Sequence, residues 1–168
     1  TADHGDIVGT HGGLFNKDNI LVEETMKIPL VISWPGRISP GEVSHDLVSN
    51  MDIPSTVMAV AGARPEYEVD GINLLKDRRQ HLMSQSYGCF RREYVQRMLR
   101  WKKYKYIAHA ADIDELYDLE EDPFEVNNRV FDQEYQDILN EMRRRLREEM
   151  VKLGDKQEEA KEILEKLS

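Results

Sequence analysis

The sequence predicts an α/β fold in which a layered segment with a buried strand precedes a small antiparallel sheet and packed C-terminal helices. Three observations support this order: an unbroken apolar run at residues 28–34, closely spaced strand-like segments between residues 82 and 119, and a helical apolar repeat from Phe131 onward. Apolar runs without polar alternation are typical of strands buried on both faces, and apolar residues spaced by three and four are typical of helices.

The first element is the run IPLVISW at residues 28–34, which we predict to be a strand because a Pro-Gly pair closes it. A helix is predicted next, since Asp52 offers an N-cap and Pro54 suits the first helical turn. Mixed composition through residues 63–81 indicates a change of substructure, so we place a domain boundary near residue 78.

The segments after this boundary predict an antiparallel meander. Strand-like composition recurs at residues 82–87, 94–101, 104–109 and 115–119. Such short spacing suits strands that are connected by hairpins. The run WKKYK at residues 101–105 mixes aromatic and basic side chains, and we expect its lysines to guard a strand edge at the solvent.

Helices are predicted to close the chain. Apolar residues recur at helical spacing at Phe131, Tyr135, Ile138, Leu139, Met142, Leu146 and Met150, and Gly154 ends this helix. A short final helix is predicted with Asp155 and Glu158 as a capping pair and with Ala160, Ile163, Leu164 and Leu167 on one stripe. The predicted organisation is residues 1–78 as the end of an α/β domain, residues 79–130 as a small antiparallel subdomain, and residues 131–168 as C-terminal helices.

Composition excludes several classes of function. The chain has 168 residues, the size of about one domain, and a net charge of −9 that repels a phosphate backbone, so we expect no nucleic-acid partner. No apolar run approaches the ~18 residues that a membrane span needs, and the first twenty residues do not resemble a signal peptide. The single cysteine, Cys89, excludes an intrachain disulfide but leaves the cellular compartment open.

Candidate chemistry concentrates in the first seventeen residues, TADHGDIVGTHGGLFNK. Asp3 and His4 offer a carboxylate oxygen and an imidazole nitrogen, a mixed donor set that suits a divalent metal. The glycines let the backbone turn sharply around a bound anion, to which Lys17 could add a positive charge. On residue types alone an alternative stays open, in which this segment is a surface loop with Asp3 capping a turn and with His4 and His11 solvated.

Three ordered motifs resemble those of the type I sulfatases. The first runs from TADHGD through a G-x-H-G segment, Lys17 and the Glu23-Glu24 pair to IPLVISWPGRI. The second is VSNMDIPSTV at residues 48–57, and the third is LYDLEEDPFEVNN at residues 116–128. The chain therefore resembles the C-terminal part of an alkaline phosphatase-like sulfatase fold, in which residues 1–78 would belong to the catalytic α/β domain.

This resemblance implies a hydrolase that acts on a small-molecule or carbohydrate sulfate ester. In such enzymes a formylglycine made from Cys or Ser attacks the sulfur beside a divalent cation, expected here to be Ca²⁺, with Mg²⁺ or Mn²⁺ as alternatives. The resemblance assigns Asp3 and His4 to the metal and Lys17 to the sulfate oxygens. His11 lies in the matching G-x-H-G segment, where a substrate contact and a plain loop histidine both stay open.

The nucleophile motif of the family, Cys or Ser followed by x-Pro-x-Arg, is absent from this sequence, and Cys89 is followed by Phe-Arg-Arg. The paired aspartates that complete the metal site in the family also lie upstream of the matching region. We therefore expect the formylglycine to lie in a preceding part of a longer protein. The present residues alone are expected to be inactive.

Two alternative functions stay open. A phosphonate monoester or phosphodiester hydrolase of the same superfamily would share His4 and Lys17, and a non-catalytic binding or oligomerisation module would use residues 131–168 to pack on a partner. We also expect self-association, because a strand at residues 28–34 without its neighbours would expose unpaired edges and apolar faces.

Overall fold

The computed structural model describes residues 1–15, 17, 20–89, 92–155 and 158–168. In chain order the elements are α1 (Thr10–Gly13), α2 (Glu23–Met26), α3 (Asp52–Ala61), β1 (His81–Cys89), β2 (Arg92–Trp101), β3 (Tyr104–His109), β4 (Glu115–Asp118), a 3-10 turn (Gln133–Tyr135), α4 (Gln136–Lys152) and α5 (Glu158–Lys166). Among the residues described, no helix is long and apolar enough to cross a membrane.

The chain divides into two units. The first unit consists of Thr1–Asp3 with Pro29–Leu82, and the second consists of His4–Ile28 with Met83–Ser168. The domain boundaries near residues 78 and 130 that the sequence indicates stay predictions.

The second unit is built around a sheet with the strand order β1-β2-β3-β4. β2 pairs antiparallel with β3 in a register that places Gln96 opposite His109, and β3 pairs antiparallel with β4 in one that places Tyr104 opposite Asp118. Lys102, in the short connection between β2 and β3, has a φ of 51°. The small antiparallel sheet predicted from the sequence is therefore confirmed.

Apolar side chains occupy both faces of this sheet, because neighbouring residues along a strand point to opposite sides. One face packs on α4 and α5 in a core that includes Leu99, Tyr106, Leu116, Leu139, Met142, Leu146, Met150, Ala160 and Ile163. On the other face, Met98, Ile107 and Tyr117 contact Leu21 and Met26 of the N-terminal segment. The sheet is thus the middle layer of this unit, and Leu21 and Met26, which follow the segment with the candidate chemistry in sequence, pack on the face opposite the helices.

The long C-terminal helix is confirmed, but it begins later than its apolar repeat suggests. The 3-10 turn precedes α4, which starts at Gln136, and the predicted positions on α4 from Leu139 to Met150 are buried. Phe131 lies before the first helical turn and is 78% exposed, so its place in the predicted apolar stripe is wrong. Residue spacing predicts which side a residue faces only within the helix, and Phe131 lies outside it.

A buried ion pair follows α4. Gly154, just beyond the end of α4, has a φ of 65°, as suits the glycine predicted to stop this helix. The fully buried Arg97 of β2 donates to the Asp155 carboxylate at 2.6 and 3.2 Å. The predicted capping pair of Asp155 and Glu158 spans residues 156 and 157, which lie outside the described residues.

In the first unit, α3 confirms the helix predicted after residue 51, but Asp52 does not act as its N-cap. Asp52 is the first helical residue, and its fully buried carboxylate accepts the N–H groups of Ser49 at 2.7 Å and Ile72 at 2.9 Å. It also pairs with Arg79.

Residues 28–34 do not form the predicted buried strand. Val31 is 85% exposed and Ile32 is 42% exposed, and no strand pairs with this run among the described residues. A strand is stable only when neighbours satisfy its N–H and C=O groups, and none is present here. In the first unit, every residue of which is described, only Asp52 and Thr56 are buried.

Candidate functional site

The glycine-rich segment forms a tight loop in the second unit. Val8 and Phe15 form an isolated antiparallel bridge that closes the loop. Gly9 and Gly12 have φ values of 88° and 81°, which glycine adopts without steric cost. His11 shares this left-handed region with φ 48° and ψ 51°, which few residues with a side chain occupy. The backbone thus turns as sharply as its glycines predict.

The short helix α2 anchors the start of this segment. The Gly5 N–H donates to the Thr25 carbonyl at 2.9 Å. A Cβ atom at Gly5 would lie 1.9 Å from the Glu24 carbonyl oxygen, so the two backbones approach too closely for any side chain at this position. Thr25 is buried, and its hydroxyl donates to the carbonyls of Ile20 at 2.7 Å and Val22 at 2.9 Å.

Glu23 joins α2 to the sheet through a buried charge cluster. The Lys105 ammonium, fully buried on β3, lies 2.8 Å from the Glu125 carboxylate and 3.2 Å from that of Glu23. The second Glu125 oxygen accepts the Glu23 backbone N–H at 2.5 Å. Burial raises the pKa of the Glu125 carboxyl above its ordinary value, although the Lys105 charge opposes that shift.

His11 and Glu24 form a histidine–carboxylate contact in this unit. The His11 Nε2 atom lies 3.2 Å from a Glu24 carboxylate oxygen, and the two side chains are only 15% and 25% exposed. A carboxylate oxygen accepts hydrogen bonds and an imidazole nitrogen can donate one, so this geometry fits an Nε2–H that points at Glu24.

His4 is exposed, and its Nδ1 lies 2.6 Å from the Gly5 carbonyl oxygen. A carbonyl only accepts, so Nδ1 carries the proton in this contact and Nε2 carries the lone pair. Histidines that bind metals commonly donate their second nitrogen to a carbonyl in this way. The arrangement therefore fits His4 as a metal ligand through Nε2.

The other candidate residues are placed separately. Asp3 belongs to the first unit, where its side chain is exposed and its carbonyl accepts a hydrogen bond from the Asn50 amide at 3.0 Å. Lys17 is exposed, and the residues around it at 16, 18 and 19 lie outside the described part. Among the described residues, no group of three His, Cys, Asp or Glu side chains lies close enough together to hold a metal ion.

Sequence reasoning missed the residues that hold the loop in place. Lys105 was expected to guard a strand edge, but it is fully buried, because two carboxylates replace its hydration. Its partner Glu125 lies within the motif LYDLEEDPFEVNN and has a φ of 53°. One signal was available: Lys105 falls between tyrosines in a strand where both faces are apolar.

Comparisons with known proteins fit this architecture. Residues 9–152 match the family model of the N-sulphoglucosamine sulphohydrolase C-terminal region. The N-acetylglucosamine-6-O-sulfatase of Bacteroides thetaiotaomicron is 29% identical over 98% of this chain and 32% of its own length. The ulvan-active sulfatase of Formosa agariphila is 27% identical over 84% of this chain and 34% of its own length.

A solved structure has a similar fold. A protein in complex with its substrate D-glucosamine-2-N,6-O-disulfate superposes with a TM-score of 0.83 at 26% identity, over 94% of this chain and 34% of that chain. The chain thus spans about a third of the length of each of these proteins.

Proposed function

Since the chain belongs to the N-sulphoglucosamine sulphohydrolase C-terminal family, we propose that it is the C-terminal part of a sulfatase that hydrolyses a sulfate ester. The observation that carries the proposal is the match to that family over residues 9–152. The expected substrate is a carbohydrate sulfate ester, because relatives named for sulfated sugars match nearly the whole chain. The residues described contain no formylglycine motif, so the nucleophile is proposed to lie in a preceding segment.

In this proposal Asp3 and His4, adjacent in sequence, contribute two ligands to a divalent cation. Support comes from the chemistry of the pair and from the bond that leaves the lone pair of His4 on Nε2. The cation would supply charge stabilisation to the ester oxygens. Calcium normally takes six to eight oxygen ligands, so the remaining ligands are assigned to the preceding segment.

Lys17 is proposed to contact the sulfate oxygens. Its position in the motif supports this role, and its exposed ammonium makes no ion pair among the described residues. A fixed cation at the ester lowers the energy of charge that develops on oxygen in the transition state. His11 is proposed to contact the same substrate.

The test is sulfate release by the full-length protein from N-acetylglucosamine 6-sulfate, measured by ion chromatography. We expect turnover by the wild type and a loss of about 100-fold or more in kcat in Lys17→Ala. The control Lys76→Ala removes another exposed lysine, one outside the motifs, and is expected to retain full activity. Equal activity of wild type and Lys17→Ala would contradict the proposed role of Lys17.

The same assay separates this proposal from its alternatives. Preferential hydrolysis of a phenylphosphonate monoester or of bis(4-nitrophenyl) phosphate would instead indicate a phosphonate or phosphodiester hydrolase. Absence of hydrolysis of all three esters by the full-length protein would favour a non-catalytic module. The 168-residue chain alone is expected to release no sulfate.

Metal binding gives a separate expectation. Two ligands cannot replace the usual oxygen shell of calcium, so this chain alone should bind Ca²⁺ or Mg²⁺ weakly. Isothermal titration calorimetry of the chain is expected to show no binding tighter than about millimolar, the weak end of the range for protein calcium sites, and Asp3→Asn should abolish what remains. Tight binding would mean that the chain supplies a complete metal site.

A further inference from the structure

The contact between Glu24 and His11 has no part in the roles assigned above. The His11 Nε2 atom lies 3.2 Å from a Glu24 oxygen, and both residues belong to the second unit. An ionised Glu24 carboxylate can only accept a hydrogen bond, so a neutral imidazole that bonds to it carries its hydrogen on Nε2. The lone pair then lies on Nδ1.

The Nδ1 atom of His11 is available to a ligand. Among the described residues it makes no hydrogen bond, and it is not one of the buried polar atoms that lack a partner. The ring as a whole is only 15% exposed. His11 therefore has one nitrogen committed to Glu24 and another that is accessible from solvent.

Glu24 is itself held firmly. Its carbonyl oxygen lies directly against Gly5, and its neighbours Glu23 and Thr25 bond to Glu125 and to Gly5. These bonds leave α2 little freedom to shift. A carboxylate on so well fixed a turn can select one orientation of the ring that it contacts.

The backbone at His11 supports the same reading. A left-handed conformation is sterically unfavourable for a residue with a side chain, and it persists where surrounding contacts determine it. The neighbouring glycines adopt this conformation freely, so the loop could have turned with glycine at position 11 as well. The backbone turn alone therefore does not explain why position 11 carries an imidazole side chain.

We propose that Glu24 is a positioning residue that holds the neutral His11 imidazole in the form protonated at Nε2, so that Nδ1 accepts a hydrogen bond from a hydroxyl group of the sulfated sugar. The second half of this statement rests on the proposed function. The first half concerns the chain alone. The two halves are therefore tested separately.

The first test measures the protonation of the ring. The ¹⁵N shifts of His11 are read from long-range proton–nitrogen spectra of histidine-labelled chain at pH 8, with assignment by His11→Gln. We expect wild type to show Nε2 fully protonated and Nδ1 unprotonated. Glu24→Met keeps the side-chain length but removes the acceptor, so its shifts should relax toward the mixture of forms seen in free histidine.

Two further variants make this test specific. Glu24→Gln retains an acceptor oxygen and should preserve the wild-type shifts. Unfolding of the chain would instead change these shifts. Glu42→Met makes the same change at an exposed glutamate of the first unit and should leave His11 unaffected. Wild-type shifts in Glu24→Met, or a wild-type ring protonated at Nδ1, would overturn the positioning role.

The second test uses the full-length protein and two substrates. With N-acetylglucosamine 6-sulfate, loss of one oriented hydrogen bond in Glu24→Met should raise KM about 3- to 10-fold with little change in kcat. With 4-nitrophenyl sulfate, which has no sugar hydroxyl, KM should stay at the wild-type value. An equal rise for both esters, or a change confined to kcat, would overturn the contact to the sugar.

If the wild-type protein hydrolyses neither ester, the proposed function is wrong, and with it the contact to the sugar. The nitrogen shifts decide the role of Glu24 toward His11 in either case.

Discussion

At the scale of single residues, three consecutive residues of α2 hold the glycine-rich loop in place, two through their side chains and one through its carbonyl. Glu23 contacts Lys105 of the sheet, Glu24 contacts His11 of the loop, and the Thr25 carbonyl accepts the N–H of Gly5. Each contact joins α2 to a different part of the second unit. Substitutions that remove one of these contacts should therefore disturb the glycine-rich loop more than the apolar core of the sheet.

Gly5 provides the sharpest test of this arrangement. A Cβ atom in Gly5→Ala would meet the Glu24 carbonyl at 1.9 Å, so the backbone must separate and the bond to Thr25 must lengthen. We expect a cost of about 1 to 3 kcal/mol. Hydrogen exchange measured by mass spectrometry should show faster exchange of the amides of α2.

Gly154→Ala serves as the control for Gly5→Ala. It introduces a side chain at a φ of 65° in open space, so its effect should stay at the end of α4. Unchanged exchange in α2 of Gly5→Ala would show that the two backbones are not held together as described.

Lys105 gives a second prediction at this scale. Lys105→Met removes the ammonium that both the Glu23 and the Glu125 carboxylate contact, and Glu125 is buried. Breaking a buried ion pair in this way costs about 3 to 5 kcal/mol. Urea unfolding followed by circular dichroism should show this loss.

The double variant Lys105→Met with Glu125→Gln removes both buried charges and keeps an acceptor for the Glu23 N–H, so it should recover most of the loss. Lys102→Met changes an exposed lysine of the same hairpin and should shift stability by less than about 0.5 kcal/mol. A double variant no more stable than Lys105→Met would argue that the lysine contributes through packing.

At the scale of elements, Asp114 connects both C-terminal helices to the sheet. Its carboxylate accepts hydrogen bonds from Lys166 of α5 at 2.6 Å and from Tyr106 of β3 at 2.7 Å, and Arg143 of α4 lies at 3.4 Å. Burial would by itself raise the pKa of the Asp114 carboxyl, but these bonds outweigh it and hold the pKa below its ordinary value. Asp114 therefore stays ionised until the solution is strongly acidic.

This shift predicts how stability depends on pH. A carboxyl whose pKa is lower in the folded chain stabilises the fold above its ordinary pKa of 3.8, and that contribution is lost as pH falls through the lower folded value. Asp114→Asn should cost about 2 to 3 kcal/mol at pH 7, from the loss of bonds to charged partners. The gap between wild type and variant in urea unfolding should narrow below pH 3.8.

Asp70→Asn is the matched control, because Asp70 is exposed and lies in the first unit. Its unfolding curve should follow the wild type at every pH. A gap for Asp114→Asn that stays constant down to pH 2 would mean that the ionised form is not what joins the helices to the sheet.

At the scale of the whole molecule, the two units differ in how much apolar surface they bury. The second unit has apolar layers on both faces of its sheet. The first unit buries no apolar side chain, and it exposes Val31, Val43 and Val57 by 61% or more. Burial of apolar surface is the main favourable term in folding, so a unit of this kind is stable only with a partner surface.

We therefore expect the isolated chain to self-associate. Light scattering coupled to size-exclusion chromatography should show species larger than the 19.6 kDa chain. Val31→Ser should reduce their fraction, because Val31 is 85% exposed in the first unit, whereas Ile113→Ser, at a 57% exposed residue of the second unit, should not. A stable monomer at all concentrations would contradict this expectation.

Much of the second unit could be predicted from local patterns. The four strands and the two C-terminal helices appear within a few residues of the positions that composition and apolar spacing indicate. The errors occur where a local pattern depends on a distant partner: residues 28–34 have the composition of a strand but no neighbour to pair with, and Phe131 continues a helical stripe outside the helix. Lys105 lies in a run whose aromatic and basic residues suggest a strand edge, but its ammonium lies between the carboxylates of Glu23 and Glu125.

By itself the sequence determined the family, the antiparallel sheet and the C-terminal helices, and it supplied the residues to which the proposed chemistry is assigned. These follow from the spacing of apolar residues and from the order of motifs, which are properties of neighbouring residues. Only the tertiary structure decided that Glu24 meets His11 and that Glu23 and Glu125 enclose Lys105. Those contacts join residues up to 102 positions apart, and their energies depend on burial and orientation that no local pattern contains.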